Sequence, residues 1–452
     1  MVLAALRLPD SNFNRADPFG ELRALAEQAG ATVVGEIEQH RQRPEAGTYL
    51  GKGKIDEIKG LCERLEASTV IFDHDLSPAQ ISNIEEATER KVIDRSELIL
   101  DIFAGRATTH EAKLQVEIAQ LEYTFPRLRA MWSHLERIVG AGGIGGIGTR
   151  GPGEQQLEID RRLVMNRKVQ LQRELREIQG RKRREVQKRN QDNFTVGLVG
   201  YTNAGKSTLF NTLTEGGAYA DDRVFATLMT RTREWDLGDG VKALLSDTVG
   251  FVRDLPHHLV ASFRATLEEA THSDLLLIVL DVSDPAAEMH HRVVQSTLDE
   301  LLQEAAERDD DGVERPPPLR LLLLNKSDRL KDNRDLLVWQ QRVPDSIVIS
   351  SLSPEQGGTG LGLTELAERV RTLVRGELGR YRISVPLRES RLISMIESRS
   401  HVHDRTYDTD RVLLTVDAGA HLVGGWRSRW RSAGLRADGP LESLPIRHGP
   451  GE

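Results

Sequence analysis

The sequence predicts an α/β protein of several domains, and three observations support this fold class. Short apolar runs followed by polar or glycine-rich turns alternate with helical patterns over much of the chain. Two long helical patterns flank a glycine-rich loop. With 452 residues, 38% hydrophobic and 29% charged, the chain can form several cores. We expect an N-terminal α/β domain, an antiparallel helical hairpin, a mostly parallel sheet with helices on both faces, and a small α/β C-terminal domain, at 1–108, 109–192, 193–376 and 377–452.

The first domain is expected to alternate strands with helices. Apolar runs predict strands at 32–34, 70–72 and 92–93. Periodic patterns predict helices near 19–29, 55–65 and 79–90. The segment from Gly51 to Lys54 resembles a phosphate-binding turn but lacks the full spacing, which favours a helix-initiating turn with two exposed lysines that could touch RNA. The single cysteine, Cys62, excludes an internal disulfide framework and is expected to be buried.

The hairpin is predicted from two amphipathic patterns that flank a loop with 8 glycines in 14 residues, at 140–153. Apolar residues recur at spacings of three and four before the loop and mostly at seven after it. Two such helices joined by a short loop form an antiparallel pair. Pro126 is expected to kink the first helix. The apolar positions are Leu114, Ile118, Leu121, Phe125, Leu128, Trp132 and Leu135, then Leu157, Val164, Leu171, Leu175 and Ile178.

Charge is unevenly placed along the chain. Residues 161–190 contain 12 Lys and Arg against 3 Glu, whereas the net charge of the whole chain is -8. A basic arm on an acidic body is typical of a nucleic-acid-binding protein, although most charge runs are solvated helix faces. The neighbouring glycines and Arg150 can approach phosphates or bases without side-chain clash. The alternative is a flexible connector.

The third domain opens on a nucleotide-binding motif. An apolar run at 196–199 ends in a glycine-rich turn that leads into a helix, whose free N–H groups bind anions. Lys206 is placed to reach the β- and γ-phosphates, and the Ser207 hydroxyl is suited to Mg²⁺. The loop consists of Gly200, Tyr201, Thr202, Asn203, Ala204, Gly205, Lys206, Ser207 and Thr208.

A second motif supplies groups for the metal and for the γ-phosphate. Asp247 ends an apolar run at the carboxyl end of a predicted strand, where it would hold Mg²⁺ through water. The backbone N–H of Gly250 would contact the γ-phosphate. Phe251 stands where many such proteins carry a glutamine that orients the attacking water, so turnover must be arranged differently.

A third motif selects the base. Asn325, Lys326 and Asp328 follow an apolar run at 319–324, and a carboxylate at Asp328 can accept hydrogen bonds from the ring N–H and the exocyclic amine of guanine. Asn325 and Lys326 would brace the loop and cover the base. A short turn after a further strand is the expected backbone cradle for the guanine oxygen, at Ser350, Ser351 and Leu352.

A threonine-rich segment between the first two motifs should complete the Mg²⁺ shell in the GTP state. Phe225 and Thr227 are assigned to the nucleotide site, and Thr227 is the first choice for the metal. Thr230 and Thr232 are alternatives, of which Thr232 also fits an ordinary strand residue. Asn203 adds a potassium hypothesis, because a K⁺ ion beside it would supply charge that an arginine finger supplies in other GTPases.

The motifs, taken together, predict Mg²⁺-dependent conversion of GTP to GDP and phosphate, with Lys206, Thr227 and Gly250 as catalytic groups. No signal peptide and no apolar run of bilayer length is visible. We therefore expect a cytoplasmic protein without membrane insertion. We also expect it to be a monomer.

Besides the phosphate loop, further short motifs occur along the chain: Tyr49-Leu-Gly-Lys-Gly-Lys54, Phe72-Asp-His-Asp-Leu-Ser-Pro-Ala-Gln80, Val92-Ile-Asp-Arg95, Leu100-Asp-Ile-Phe103, Gly148-Thr-Arg-Gly-Pro-Gly-Glu154, Phe225-Ala-Thr-Leu228, Asp247-Thr-Val-Gly-Phe251 and Arg253-Asp-Leu-Pro256. In these motifs the chain resembles the HflX-type GTPases over nearly its whole length. The resemblance implies binding to the large ribosomal subunit and its RNA, and GTP-dependent splitting or rescue of stalled or inactive ribosomes, with the hairpin tip near the peptidyl-transferase centre. An RNA-remodelling or ribosome-assembly factor is the alternative, and a switch with protein partners alone fits the basic hairpin poorly.

The sequence departs from the family pattern in three places. Met229 and Thr230 stand where the family often has Asp-Pro, and the glycine loop is longer than usual. After about Gly376 the match is weak, and apolar runs there predict a small α/β domain in which Trp426 and Trp430 are packing residues.

Overall fold

The computed structural model describes most of the chain. The described residues are 1–9, 13–140, 152–190, 193–214, 231–248, 250–253, 273–308, 317–330, 332, 334–352, 359–376, 378–419, 423–424, 426–427, 430 and 434–443. The strands are β1 Val2–Arg7, β2 Gly35–His40, β3 Thr69–Phe72, β4 Lys91–Ile93, β5 Thr195–Gly200, β6 Arg231–Asp236, β7 Lys242–Asp247, β8 Leu275–Asp281, β9 Leu319–Asn325, β10 Ile347–Val348, β11 Leu378–Pro386, β12 His401–Tyr407, β13 Arg411–Gly419 and β14 Arg436–Ser443.

The helices alternate with the strands in the first and third domains, and the described part of the hairpin consists largely of α5 and α6. They are α1 Gly20–Gln28, α2 Lys52–Arg64, α3 Pro78–Thr88, α4 Arg95–Arg106, α5 His110–Gly140, α6 Pro152–Asn190, α7 Lys206–Leu213, α8 Ala287–Arg308, α9 Arg334–Arg342, α10 Leu363–Arg375 and α11 Ser390–Arg399.

The N-terminal sheet is parallel, with strand order β2-β1-β3-β4. Alternate residues of β1 enter two different cores: Leu3 and Ala5 pack beneath α1, α4 and the start of α5, and Ala4 and Leu6 pack beneath α2 and α3. The expected strand at 32–34 is wrong, because those residues precede β2. The fully buried run of β1 was missed, since an apolar run of six residues does not by itself distinguish a strand from a buried helix.

Part of the predicted apolar seam between the hairpin helices α5 and α6 is described, whereas the side chains of Leu128, Trp132, Leu135 and Leu157 lie outside the described part of the chain. Leu114, Ile118, Leu171 and Leu175 form a buried cluster, with Leu121 and Ile178 partly buried beside it. Helix α5 runs through Pro126. The glycine-rich tip, including Arg150, lies outside the described residues.

The base of the hairpin is anchored in the N-terminal domain. Asp94 caps α4 and accepts hydrogen bonds from the hydroxyl of Tyr123 at 2.8 Å and from the guanidinium of Arg127 at 2.7 Å, both on α5. The Tyr123 ring also joins the N-terminal core. The hairpin is therefore held at its base by buried polar and apolar contacts.

The third sheet has the order β10-β9-β8-β5-β7-β6, in which only β6 runs antiparallel among the described strands. Helices α7 and α10 cover one face, and α8 and α9 cover the other. This arrangement confirms the predicted α/β fold class. The apolar strand β8 lies beside β5 at the centre of the sheet, and the sequence motifs did not reveal it.

The C-terminal sheet is antiparallel, with order β12-β13-β11-β14 and with α11 packed on one face. Strands β11 and β13 coincide with predicted apolar runs, whereas β12, an exposed edge strand, and β14 carry too few apolar residues to be recognised. Trp426 is 5% exposed and Trp430 packs against the same core, in agreement with their predicted packing role. The exact domain boundaries stay predictions.

Within the described residues, no helix combines the length and apolar composition needed to cross a bilayer.

Candidate functional site

The phosphate loop joins β5 to α7 at the carboxyl edge of the third sheet. Gly205 precedes the helix with φ +96°, and a Cβ built on it would lie 2.4 Å from Asn325 Nδ2. Only glycine satisfies both the backbone angle and the close approach. The loop is thus packed directly against the residue that begins the third motif.

Lys206 is the first residue of α7 and is buried beneath the loop. Its Nζ donates to the carbonyl oxygens of Gly200 at 3.1 Å and Tyr201 at 2.8 Å. Burial lowers the pKa of Lys206 to about 8, a change that Lys326 reinforces and the nearby Asp247 carboxylate opposes. The ammonium group is therefore held inside the curve of the loop, where phosphates are expected.

Ser207 and Asp247 lie together at the ends of α7 and β7. The Ser207 hydroxyl donates to Asp247 Oδ2 at 2.8 Å, and the Asp247 side chain is fully buried. The next residue, Thr248, donates its hydroxyl to the carbonyl of Leu198 at 2.6 Å and ties the segment to β5. A hydroxyl and a carboxylate are oxygen ligands that suit Mg²⁺, so this pair fits the predicted metal site.

The segment after Asp247 passes directly over the phosphate loop. Phe251 donates its N–H to the carbonyl of Gly200 at 3.0 Å and accepts from the N–H of Thr202 at 2.7 Å. A Cβ on Gly250 would lie 2.9 Å from Lys206 Nζ, so the Gly250 backbone rests against the lysine. Phe251 itself is 2% exposed and belongs to the hydrophobic core beneath β5 and β8. It is a packing residue and has no group that could orient water.

Asn325 ends β9 and connects three loops. Its Oδ1 accepts from the N–H and the hydroxyl of Ser351, at 3.0 and 2.7 Å, and its Nδ2 donates to the carbonyl of Ala204 at 2.7 Å. Thr212 of α7 also donates to the Ser351 carbonyl, at 2.8 Å. The expected base-recognition turn and the phosphate loop are therefore braced by the same side chain.

Lys326 reaches back over the phosphate loop. Its backbone is left-handed, with φ 59°, and its Nζ donates to the carbonyl of Asn203 at 2.8 Å and pairs with Asp281 at 2.7 Å. Asp281 was missed in the sequence, although it ends the apolar run of β8 at the same sheet edge as Asp247. Asp328 lies in the short 3-10 turn Ser327–Arg329, with its side chain exposed to solvent.

The remaining residues of the predicted site divide into two groups. Ser350 is fully buried and Leu352 half-buried beside Ser351, while Thr208 continues α7. Thr232 lies in β6 and contacts the Ser246 hydroxyl at 3.0 Å, as an ordinary strand residue would. Outside the described residues lie Phe225, Thr227, Thr230 and Val249.

A glycine-rich loop between a buried strand and a helix, a buried aspartate on a neighbouring strand and an Asn-Lys-x-Asp turn at the same edge define a P-loop GTPase. Three family models match the chain: a GTP-binding GTPase N-terminal model over 17–104, a GTP-binding GTPase Middle Region model over 106–190, and a 50S ribosome-binding GTPase model over 195–326.

Curated relatives agree with these matches. GTPase HflX of Alkalihalophilus pseudofirmus is 39% identical over 412 residues, which cover 91% of this chain and 90% of that protein. GTPase HflX of Escherichia coli is 43% identical over 83% of each chain, and that of Lacrimispora saccharolytica is 50% identical over 62% of this chain and 66% of its own. The chain therefore belongs to the HflX family of GTPases, and it is a guanine-nucleotide-binding enzyme that hydrolyses GTP.

A solved structure is also similar. A GTP-binding protein from the archaeon Sulfolobus solfataricus, in complex with GDP, is 26% identical, with a TM-score of 0.41, over 83% of this chain and 99% of that one.

Proposed function

We propose that this GTPase binds the large ribosomal subunit through its RNA and uses the GTP cycle to split or rescue stalled and inactive ribosomes. The observation that carries the proposal is the exposed basic surface of α6. The apolar side of α6 is used against α5, and exposed guanidinium groups lie away from that seam, at Arg162, Arg173, Arg176 and Arg181. A helix pair that is anchored at its base and has a basic outer face is suited to bind the phosphate backbone of RNA.

The match to a 50S ribosome-binding GTPase model supports the same partner. A hairpin anchored at Asp94 can transmit a change in the nucleotide site only if the N-terminal domain and the GTPase domain are themselves in contact. They are: Arg253 of the GTPase domain contacts Asp73 of the N-terminal domain at 2.9 Å. GTP binding would therefore alter the position of the hairpin on the subunit, and subunit binding would in turn alter the nucleotide site.

We assign the catalytic roles as follows. Lys206 would neutralise the β- and γ-phosphates, Gly250 would contact the γ-phosphate through its N–H, and Thr227 would complete the site in the GTP state. Ser207, Thr227 and Asp247 would hold Mg²⁺, which polarises the phosphates when bound. Because Phe251 is buried and apolar, the attacking water must be oriented by another group, and the ribosome is the proposed source of that ordering.

The proposed base site consists of Asn325, Lys326 and Asp328 with the turn at Ser350, Ser351 and Leu352. A K⁺ ion beside Asn203 would add positive charge to the phosphates. Hydrolysis should then be faster in potassium than in sodium salts of equal ionic strength, and equal rates would remove the K⁺ role.

Sedimentation of intact ribosomes tests the function directly. In the presence of the protein and a non-hydrolysable GTP analogue, ribosomes should separate into subunits and the protein should migrate with the large one. Charge reversal at Arg162→Glu and Arg176→Glu together should abolish both effects while sparing intrinsic hydrolysis. A matched pair on other exposed arginines, Arg369→Glu with Arg388→Glu, should behave as the wild type.

A second variant tests the tip. Arg150→Ala should leave intrinsic hydrolysis unchanged and weaken its stimulation by ribosomes, whereas equal stimulation would make the loop a connector. If ribosomes stay intact with the wild-type protein and only naked RNA is bound, the splitting function fails and an RNA-remodelling or assembly role replaces it.

A further inference from the structure

A residue of the GTPase domain contacts the N-terminal sheet at its topological switch point. The strand order β2-β1-β3-β4 places this point between β1 and β3, and doubly wound sheets bind their ligands outside the carboxyl ends of the strands there. Arg7 ends β1 and Asp73 follows β3, and both side chains are 1% exposed. They contact each other at 3.0 Å, and the guanidinium of Arg253 contacts the same carboxylate at 2.9 Å.

Arg253 is held by both its side chain and its backbone. Its Nη2 lies 2.9 Å from each oxygen of Asp73, and its carbonyl oxygen accepts from Nε and Nη2 of Arg95 at 3.3 and 3.2 Å. It follows Gly250 by three residues, so this grip acts directly on the segment that passes over the phosphate loop.

Asp73 provides the charge for this grip. Burial by itself would raise the pKa of Asp73, but Arg95, Arg253 and Arg7 hold that pKa below its usual value, so the carboxylate is ionised. Arg95 contacts its Oδ1 at 2.8 Å. Because Arg7 and Arg95 remain in place, removing the Arg253 guanidinium would leave a paired carboxylate, and the N-terminal domain should stay folded.

Two adjacent residues of the same segment belong to the cores of different domains. Phe251 packs in the GTPase core beside Val199 and Ile278, whereas Val252, 3% exposed, packs in the N-terminal core with Phe103. A change in the distance between the two domains must therefore alter the backbone that joins Phe251 to Val252.

Tyr201 links the phosphate loop to the same contact. Its hydroxyl donates to Glu21 of α1 at 2.8 Å and accepts from the N–H of Arg253 at 2.8 Å, and its ring stacks on His290 at 3.9 Å. Burial, followed by the Glu21 charge, raises the pKa of Tyr201, so the hydroxyl keeps its proton. The backbone carbonyl of the same residue accepts from Lys206 Nζ.

We propose that Arg253 and Tyr201 are positioning residues through which the N-terminal domain holds Gly250 against the phosphate-binding Lys206. The inference rests on the γ-phosphate role proposed above for Gly250. The affinity for GTP, whose γ-phosphate would contact Gly250, should depend on the contact between Arg253 and Asp73, whereas the affinity for GDP should not. By linkage, GTP binding should strengthen the association of the two domains by the same factor.

Arg253→Gln is the first test, with Arg23→Gln as its control. Arg23 also pairs with two carboxylates, Asp17 and Glu36, but at the surface of the N-terminal domain. Affinities for a fluorescent GDP and a fluorescent non-hydrolysable GTP analogue, and kcat for GTP, would be measured on each full-length variant. For Arg253→Gln we expect about tenfold weaker analogue binding, the loss of one charged hydrogen-bonded contact, with GDP affinity unchanged within about twofold and kcat reduced. Arg23→Gln should match the wild type.

Tyr201→Phe and Glu21→Ala give a second test. The first change removes the hydroxyl, and the second removes the carboxylate that accepts from it at 2.8 Å and that also pairs with Arg95 at 2.6 Å. Because both changes break the same hydroxyl contact, the loss of analogue affinity in the double variant should be smaller than the sum of the two single losses. Additive losses, equal losses for GDP and the analogue, or a rise in kcat on breaking the grip would each overturn the inference.

Gly250→Ala separates the proposed γ-phosphate role of Gly250 from the positioning role of Arg253. If Gly250→Ala weakens analogue binding and Arg253→Gln does not, the positioning inference fails and the role of Gly250 stands. If Gly250→Ala binds GDP and the analogue as the wild type does, the role of Gly250 fails and the inference fails with it.

Discussion

The hydroxyl of Tyr123 joins the hairpin to the N-terminal domain, and removing it in Tyr123→Phe should loosen that junction measurably. The hydroxyl donates to Asp94 at 2.8 Å and its oxygen lies 3.2 Å from Glu97, and Asp94 is fully buried. Burial raises the pKa of Asp94 despite the donors around it, so the ionised carboxylate is held at a cost that each donor reduces. The phenylalanine ring keeps the apolar packing and loses only the donor.

The magnitude follows from the remaining partners. A hydrogen bond to a charged group contributes about 1.5–3 kcal/mol, and Asp94 keeps three donors after the change: the N–H groups of Leu76 and Glu97, and the guanidinium of Arg127. We therefore expect a loss near the lower limit, about 1.5 kcal/mol.

Native-state hydrogen exchange is a suitable assay, because it reports the free energy of opening of α4 separately from the stability of the other domains of the chain. The amides of α4 should exchange about tenfold faster in Tyr123→Phe than in the wild type, the factor that corresponds to this loss of free energy. Tyr407→Phe, at a side chain that is 60% exposed, serves as the control and should change stability by less than about 0.5 kcal/mol. If both variants exchange alike, the contact does not anchor the hairpin.

Three further predictions concern separate domains. Asp328→Asn should shift nucleotide preference from guanosine toward xanthosine phosphates in competition binding, and unchanged GTP affinity would refute the base assignment. Gly419→Ala should destabilise the C-terminal domain by more than about 3 kcal/mol in chemical denaturation, because its Cβ would lie 1.1 Å from the Arg375 carbonyl oxygen. Gly53→Ala, with open space around it in α2, should instead be neutral or stabilising. Burial lowers the pKa of His74 below its unfolded value near 6.5, so its contribution to stability is present above about pH 6.5 and is lost on acidification. Thermal unfolding of His74→Gln should therefore depend less on pH between 7.5 and 5.5 than that of the wild type.

Much of the fold was predictable because local patterns and tertiary packing agree. The seam of Leu114, Ile118, Leu171 and Leu175 lies where the helical spacing placed it, and the parallel sheet of the third domain follows from its apolar runs and turns. Strand β1 was missed since a short apolar run carries no periodicity. Strand β12 was missed for the opposite reason, because an exposed edge strand has few apolar residues to reveal it.

The candidate nucleotide site could be located from the sequence for a different reason. The roles proposed for Lys206, Ser207 and Asn325 depend on fixed spacings within a strand-turn-helix or a single turn, so neighbouring residues are enough to assign them. Asp281 has no such motif. Its contact with Lys326 exists only because β8 and β9 end side by side at one sheet edge.

By itself, the sequence determined that this protein is a GTPase, because the phosphate loop, the proposed base-recognition motif and the amphipathic hairpin are each defined by short spacings between residues. The tertiary structure alone decided how these parts are joined. Arg253 and Asp73 are 180 residues apart, as are Tyr201 and Glu21, and no local pattern relates either pair. The segment from Gly250 to Arg253 and the N-terminal domain meet because folding brings the carboxyl ends of two sheets together, and the buried guanidinium of Arg253 finds its carboxylate partner, Asp73, on the other domain.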